Sequence, residues 1–156
     1  MGPSLRHWKT LVVGVDLDDS GKGLSEGSRS ALRQAEWISS RNPSAILLVH
    51  STGVDHGNFA GEGLWDEQHE ALSDERRTTL EFEVNRLCAA GMDARVAVRR
   101  EGPSIALIKE AIERRADLVL LGKHEADLEG ARMGAVTHQV LRKSPCPVWA
   151  VKPGRS

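Results

Sequence analysis

Apolar runs of strand length recur along the chain at Leu11 to Val15, Ile46 to Val49, Leu118 to Leu121 and Val148 to Val151, with a weaker fifth at Ala94 to Val98. Runs that are apolar on both faces suit strands of a parallel sheet covered by helices, because neither side of such a strand meets water. Between them, apolar residues return at helical spacing: Ala31, Leu32, Ala35 and Ile38, then Leu80, Val84, Leu87 and Cys88, then Ile105, Ile108 and Ile112. Each set predicts a helix with one core-facing stripe. Helix punctuation agrees. Asn42 and Pro43 close the first helix and Gly91 the second; Pro103 and Ser104 follow Gly102 at the start of the third; a fourth, about Ala135 to Arg142, ends at "SPCP". Strand and helix alternate from one end to the other, which implies right-handed crossovers and an α/β, doubly wound, five-stranded parallel sheet.

Three stretches interrupt this alternation: "DLDDSGKGLSEGS" after the first strand, "STGVDHGNFAGEGLWDEQHE" after the second, and "GKHEADLEGARMG" after the fourth. Loops of this length are uncommon in compact domains unless they are functional or mobile. All follow strand carboxyl ends, the edge at which open α/β sheets bind ligands. The third has a glycine directly after a strand and another where a helix begins, the backbone arrangement of an anion site, yet it also carries a glutamate and an aspartate. There is no internal repeat and no low-complexity tract.

A length of 156 residues with 40% hydrophobic composition fits one domain, residues 1–156 with its core at about 9–153. The net charge of -1, with both signs interspersed, offers no field for nucleic acid or an anionic membrane. Cys88 and Cys146 lie far apart, with no CxxC spacing and no histidine in metal-ligand register, so no metal site or disulfide framework is expected and a reduced, cytoplasmic protein is. The opening "MGPSLRHWKTLVVGVD" lacks the apolar stretch of a signal peptide, and no later run approaches a membrane span.

Several chemistries can be tested against spacing. "GVDLDDSGKG" contains Gly21, Lys22 and Gly23, but six residues separate Gly14 from Gly21 and no hydroxyl follows the lysine, so it is not a P-loop. Asp16, Asp18 and Asp19 suggest the acidic cluster of a phosphotransfer receiver, but Gly122 stands where the acceptor carboxylate would follow "DLVLL". Without a nucleophile that route is closed. Asp18 and Asp19 read instead as a solvated acidic turn capping the first helix. The histidines, at 7, 50, 56, 69, 124 and 138, form no HxxxH or HxH pair and read as structural or solvated. Ser20, Ser25 and Ser28 lie in no G-x-S-x-G elbow, so no catalytic residue is assigned. Trp37, Trp65 and Trp149 are expected in the core or at an interface.

Four segments carry a resemblance: "LVVGVD", "AILLVHS", "GPSIALIKEAIERRADLVLLGKH" and "GAVTHQVLRKSPCPVWAVK". With these the chain resembles the universal stress protein family over nearly its whole length. The resemblance implies strand order 3-2-1-4-5 and a crevice between the first and fourth strands that holds ATP in nucleotide-binding members. Val15 and Asp16 would sit near ribose and adenine, Ser51 would line the base pocket, and Gly122, Gly134, Ala135, Val136 and Thr137 would border the phosphates. The family motif there is a glycine, two residues, a second glycine, nine residues, then glycine and Ser or Thr. This chain has Glu125 at the second glycine, reaches Gly134 one residue early, and has Ala135 in place of the hydroxyl.

Each departure carries a physical cost. Glutamate adds a Cβ where the backbone must approach phosphate, and a like charge. Two unit charges about 4 Å apart repel by roughly 4 kcal/mol at an effective dielectric near 20, or roughly 1 kcal/mol in water. The missing hydroxyl removes a charge-assisted hydrogen bond of about 1.5 to 3 kcal/mol. Lys123, His124 and Arg132 could offset part of this, and Gly130 could relax the shortened loop. The expectation is a non-catalytic stress-response or signalling module with a degenerate nucleotide pocket. The alternatives are an ATP- or AMP-binding switch, with at most weak ATP hydrolysis, and a homodimeric scaffold for partner proteins. The resemblance places the homodimer contact at the last strand, "PVWAVK", whose apolar edge would be a liability if left unpaired.

Overall fold

The computed structural model describes residues 8–53, 67–122 and 135–152. Five strands, β1 (Thr10–Gly14), β2 (Ala45–Ser51), β3 (Asp93–Arg99), β4 (Leu118–Gly122) and β5 (Val148–Val151), form one sheet in the order β3-β2-β1-β4-β5. Every pairing is parallel, with Leu11 opposite both Ile46 and Leu118. Among the described residues the helices are α1 (Glu26–Arg41), α2 (Glu67–Ala89), α3 (Pro103–Glu113) and α4 (Ala135–Lys143). Element order, fold class and strand order are those read from the sequence.

The two-residue period of the strands divides the core between the faces of the sheet. Leu11, Val13, Ile46, Leu48, Leu118 and Leu120 point to the side covered by α1 and α2, where they meet Ala31, Leu32, Ala35, Ile38, Leu80 and Leu87. Val12, Leu47, Val49, Val119 and Leu121 point the other way, against Ala106, Leu107 and Ala111 of α3 and Val140 of α4. The central strands are therefore apolar on both faces for the reason inferred.

Three expectations need correction, and Trp37 and Trp149, expected in the core or at an interface, lie at the surface of the chain. Ile105 and Ile112 of α3 are exposed, and the sheet takes Ala106, Leu107 and Ala111 instead. Small residues let the helix approach closely, and Arg99 draws Glu110 into the same face at 2.7 Å. In α2, Leu80 and Leu87 are buried, Val84 is half-buried and Cys88 is exposed. Helix α1 is capped by Ser25, whose hydroxyl accepts from the Ser28 amide at 3.3 Å; Asp18 instead accepts from the amide and hydroxyl of Ser20, inside a turn that Gly21 closes at φ +70°. Trp37 lies on the surface under the Arg41 guanidinium at 4.3 Å, and Trp149 is half-exposed, edge-on to Trp8 at 5.6 Å. Trp65 lies outside the described residues.

Candidate functional site

The helices that follow β1 and β4 leave on opposite faces of the sheet, so a crevice opens between the carboxyl ends of these neighbouring strands. A cavity of about 260 Å³ occupies it. This is just below the roughly 300 to 1,000 Å³ of ordinary small-molecule sites. The cavity brings together seven of the eight residues singled out in the sequence: Val15, Asp16, Ser51, Gly122, Ala135, Val136 and Thr137. Gly134 lies outside the described residues, as do Lys123, His124, Glu125, Gly130 and Arg132.

The exit of β1 is held from three sides. The Val15 amide donates to the Val49 carbonyl at 2.9 Å, which extends the β1–β2 ladder one residue past the strand. The Asp16 amide donates to the Ser28 hydroxyl at 2.8 Å, and the Ser25 hydroxyl donates to that same oxygen at 2.9 Å. These serines are thus structural, and their first role is to aim Asp16. Asp16 lines the cavity, and its side chain is 56% exposed.

Ser51, which lines the cavity, also has a structural role. Its hydroxyl donates to the Glu101 carbonyl at 2.5 Å and accepts from the Gly53 amide at 3.1 Å, so it ties the end of β2 to the loop before α3. Gly53 is required there, because a Cβ would lie 2.1 Å from the Arg100 carbonyl oxygen. That loop is fixed by charge. Arg99 binds Glu101 at 2.7 Å, Glu110 at 2.7 Å and Glu113 at 3.3 Å. Burial opposes ionisation of Glu101, but the hydrogen bond and charge of Arg99 prevail and hold its carboxyl below the usual range. The loop delivers Pro103, Ala106 and Leu107 to the cavity, an apolar floor that the sequence reading missed.

Gly122 also has a second reason to be glycine. A Cβ there would lie 2.1 Å from the carbonyl oxygen of Gly27 in the first turn of α1, which packs directly against the end of β4. On the far side Ala135 opens α4, with Val136 half-buried and Thr137 buried.

His50 is the functional candidate that the sequence concealed. It is 3% exposed; its Nδ1 lies 2.8 Å from the Val15 carbonyl oxygen and its Nε2 lies 3.2 Å from an Arg76 nitrogen. A carbonyl can only accept and a guanidinium can only donate, so the ring is the neutral Nδ1–H tautomer. Burial, more than any other influence, pushes its pKa down, with Arg76 adding to that effect while the Val15 carbonyl and Asp16 oppose it.

Electrostatically, the cavity has one carboxylate, Asp16, and no Lys, Arg or His among its described lining residues. No group of three or more His, Cys, Asp or Glu among the described residues could hold a metal ion. No helix of the described residues is long and apolar enough to cross a membrane.

Several known proteins are similar to this chain. Universal stress protein E of Photorhabdus laumondii subsp. laumondii is 29% identical over 153 residues, covering 95% of this chain and 46% of that protein. The chain thus spans about half the length of that relative. The solved hypothetical protein MJ0577 superposes with a TM-score of 0.76 at 22% identity, covering 96% of this chain and 99% of its own. A universal stress protein family protein of Arabidopsis thaliana, solved with AMP bound, superposes with a TM-score of 0.67 at 18% identity, covering 94% and 92%. Other universal stress proteins of this fold are in complex with dAMP and cAMP. The family model for universal stress proteins matches residues 7–152, and the chain belongs to the universal stress protein family.

Proposed function

We propose that this universal stress protein is a non-catalytic signalling module whose crevice accepts the nucleoside end of an adenine nucleotide and is degenerate toward the polyphosphate end. The observation that carries this is the polarity of the cavity. Its described lining has apolar walls, Val15, Val49 and Leu107, one carboxylate, Asp16, and the hydroxyls of Ser25, Ser28, Ser51 and Thr137, a set suited to a base and a ribose. It has no described cation, and Ala135 has no hydroxyl to donate. Helix α4 still presents amides at its start, enough for one phosphate by the usual logic of helix N-termini. Glu125 and the shortened loop argue against three. Relatives solved with AMP, dAMP and cAMP lend support to the same ligand class.

Calorimetric titration with AMP, ADP and ATP tests the proposal. AMP should bind at least as tightly as ATP, and no phosphate should be released from ATP. An ATP dissociation constant below about 10 μM, about -7 kcal/mol, would overturn the degenerate-pocket reading.

A second reading, homodimerisation through β5, is favoured by Trp149, 40% exposed on that edge strand. An apolar edge of this kind pairs or aggregates unless covered. Light scattering should give a dimer that Trp149→Lys weakens; a monomer at all concentrations would remove this reading.

A further inference from the structure

Asp16, a lining residue of this crevice, lies beside a buried histidine that reaches from the sheet to a helix outside the cavity. His50 is the sixth residue of β2, on the face covered by α1 and α2. Its Nδ1–H fixes the Val15 carbonyl at 2.8 Å, one peptide before Asp16, and lies 3.9 Å from the Asp16 carboxylate. Its Nε2 accepts from Arg76 of α2 at 3.2 Å. The charged groups facing the ring are Asp16 from the β1 exit and Arg76 from α2, while β3 presents Val98 opposite it in the ladder.

We propose that His50 is a positioning residue for the nucleotide crevice. In its neutral form it holds Asp16 toward the cavity, and when protonated it expels Arg76 and draws the Asp16 carboxylate inward, weakening nucleotide binding. The chemistry is forced by the two partners. Protonation turns Nε2 from an acceptor into a donor, so the contact with the Arg76 guanidinium becomes donor against donor and cation against cation. The same proton strengthens attraction to Asp16, whose carboxylate is largely solvated and free to swing. No lining residue has to move except the one that would bind ribose. Burial resists the proton, so the change belongs on the acid side of neutrality. The affinity part rests on the nucleoside-end reading above; the positioning of Asp16 does not.

Two measurements keep those apart. Amide spectra of the ligand-free protein, titrated between about pH 5 and 8, should show the Asp16 amide and the Arg76 side chain moving with one midpoint, that of the His50 ring. Those shifts should vanish in His50→Asn, whose amide nitrogen can still donate to Val15 but cannot titrate. Calorimetry with adenosine, which carries no phosphate to titrate in this range, should show affinity falling about tenfold across the same range in the wild type, and staying flat in His50→Asn. Asp16 and Arg76 signals that ignore the His50 titration would overturn the proposal, with or without a foldable variant. Coupled signals without AMP binding at about 1 mM would uphold the positioning role and sink the nucleotide reading instead. Adenosine affinity independent of pH in the wild type would overturn the link to binding.

Discussion

Gly122→Ala separates two roles for one residue: the room for a phosphate that the family resemblance implies, and the room for α1 that the structure shows. The added Cβ would lie 2.1, 2.3 and 2.6 Å from the carbonyl oxygen, carbonyl carbon and Cα of Gly27. Ordinary contact begins at 3.4 Å, so the two backbones must part by about 1.3 Å, from 2.1 Å to 3.4 Å. Neither can yield by rotating a side chain. β4 is fixed in the ladder between β1 and β5, so the displacement must fall on the first turn of α1. That turn carries Ser28, which holds the Asp16 amide. Overpacking of this kind costs about 1 to 3 kcal/mol, and the upper part of that range applies because the atoms in the way are main chain. For a chain of this length that corresponds to a fall in Tm of roughly 5 to 10 °C. Urea denaturation of both proteins measures it directly, and the Asp16 amide resonance should shift as α1 retreats. A midpoint unchanged to within about 0.5 kcal/mol would refute the reasoning, leaving Gly122 as a ligand glycine only.

The other predictions concern charge and hydrogen bonding. Arg99→Met leaves Glu110, 6% exposed at its side chain, with Arg114 at 3.4 Å, and should destabilise by about 3 kcal/mol in denaturant titration; adding Glu110→Met should recover most of the loss. Ala135→Ser returns the missing hydroxyl at the start of α4 and should raise affinity for AMP and ATP about tenfold in calorimetry while leaving adenosine unchanged. The folded-state pKa of His50 lies below its ordinary 6.5. Its neutral form therefore contributes stability that is complete above that value and is lost as pH falls below it. Tm plotted against pH should drop on that limb in the wild type and lose that component in His50→Asn.

What the sequence revealed about the fold follows from how its signals are generated. β1, β2 and β4 are buried on both faces, so each reads as an unbroken apolar run and the alternation follows. Helix α3 shows where periodicity stops being sufficient. Its sequence holds two stripes, Ile105, Ile108 and Ile112 on one side and Ala106, Leu107 and Ala111 on the other. Only the second can approach the sheet closely, and Glu110 on that side disguises it until Arg99 is seen beside it. The cavity residues Val15, Asp16 and Gly122 were legible through the family resemblance, whose motifs sit at the carboxyl ends of β1 and β4. Ser25, Ser28 and His50 were not, since their partners lie across the chain: the His50 ring bonds Val15 from 35 residues away. No local spacing encodes such a contact.

The two ends of the crevice are held by different kinds of structure, and that decides how each can change. Val15, Asp16 and the apolar floor are fixed by the β1–β2 ladder, the Ser25–Ser28 pair and the Arg99 cluster, all tied into the core or its rim. Substitution there risks the fold. Ala135 is exposed at the start of α4, and no core contact depends on its side chain. A hydroxyl can be lost at that position with little effect on stability, whereas losing Ser28 would release the Asp16 amide. Selection for the fold alone therefore preserves the β1 side of the crevice and leaves the start of α4 free to drift. The same inequality explains why Ala135→Ser is a clean test. It adds one donor at an exposed position without altering the scaffold, so any gain confined to phosphorylated ligands must come from the phosphate itself.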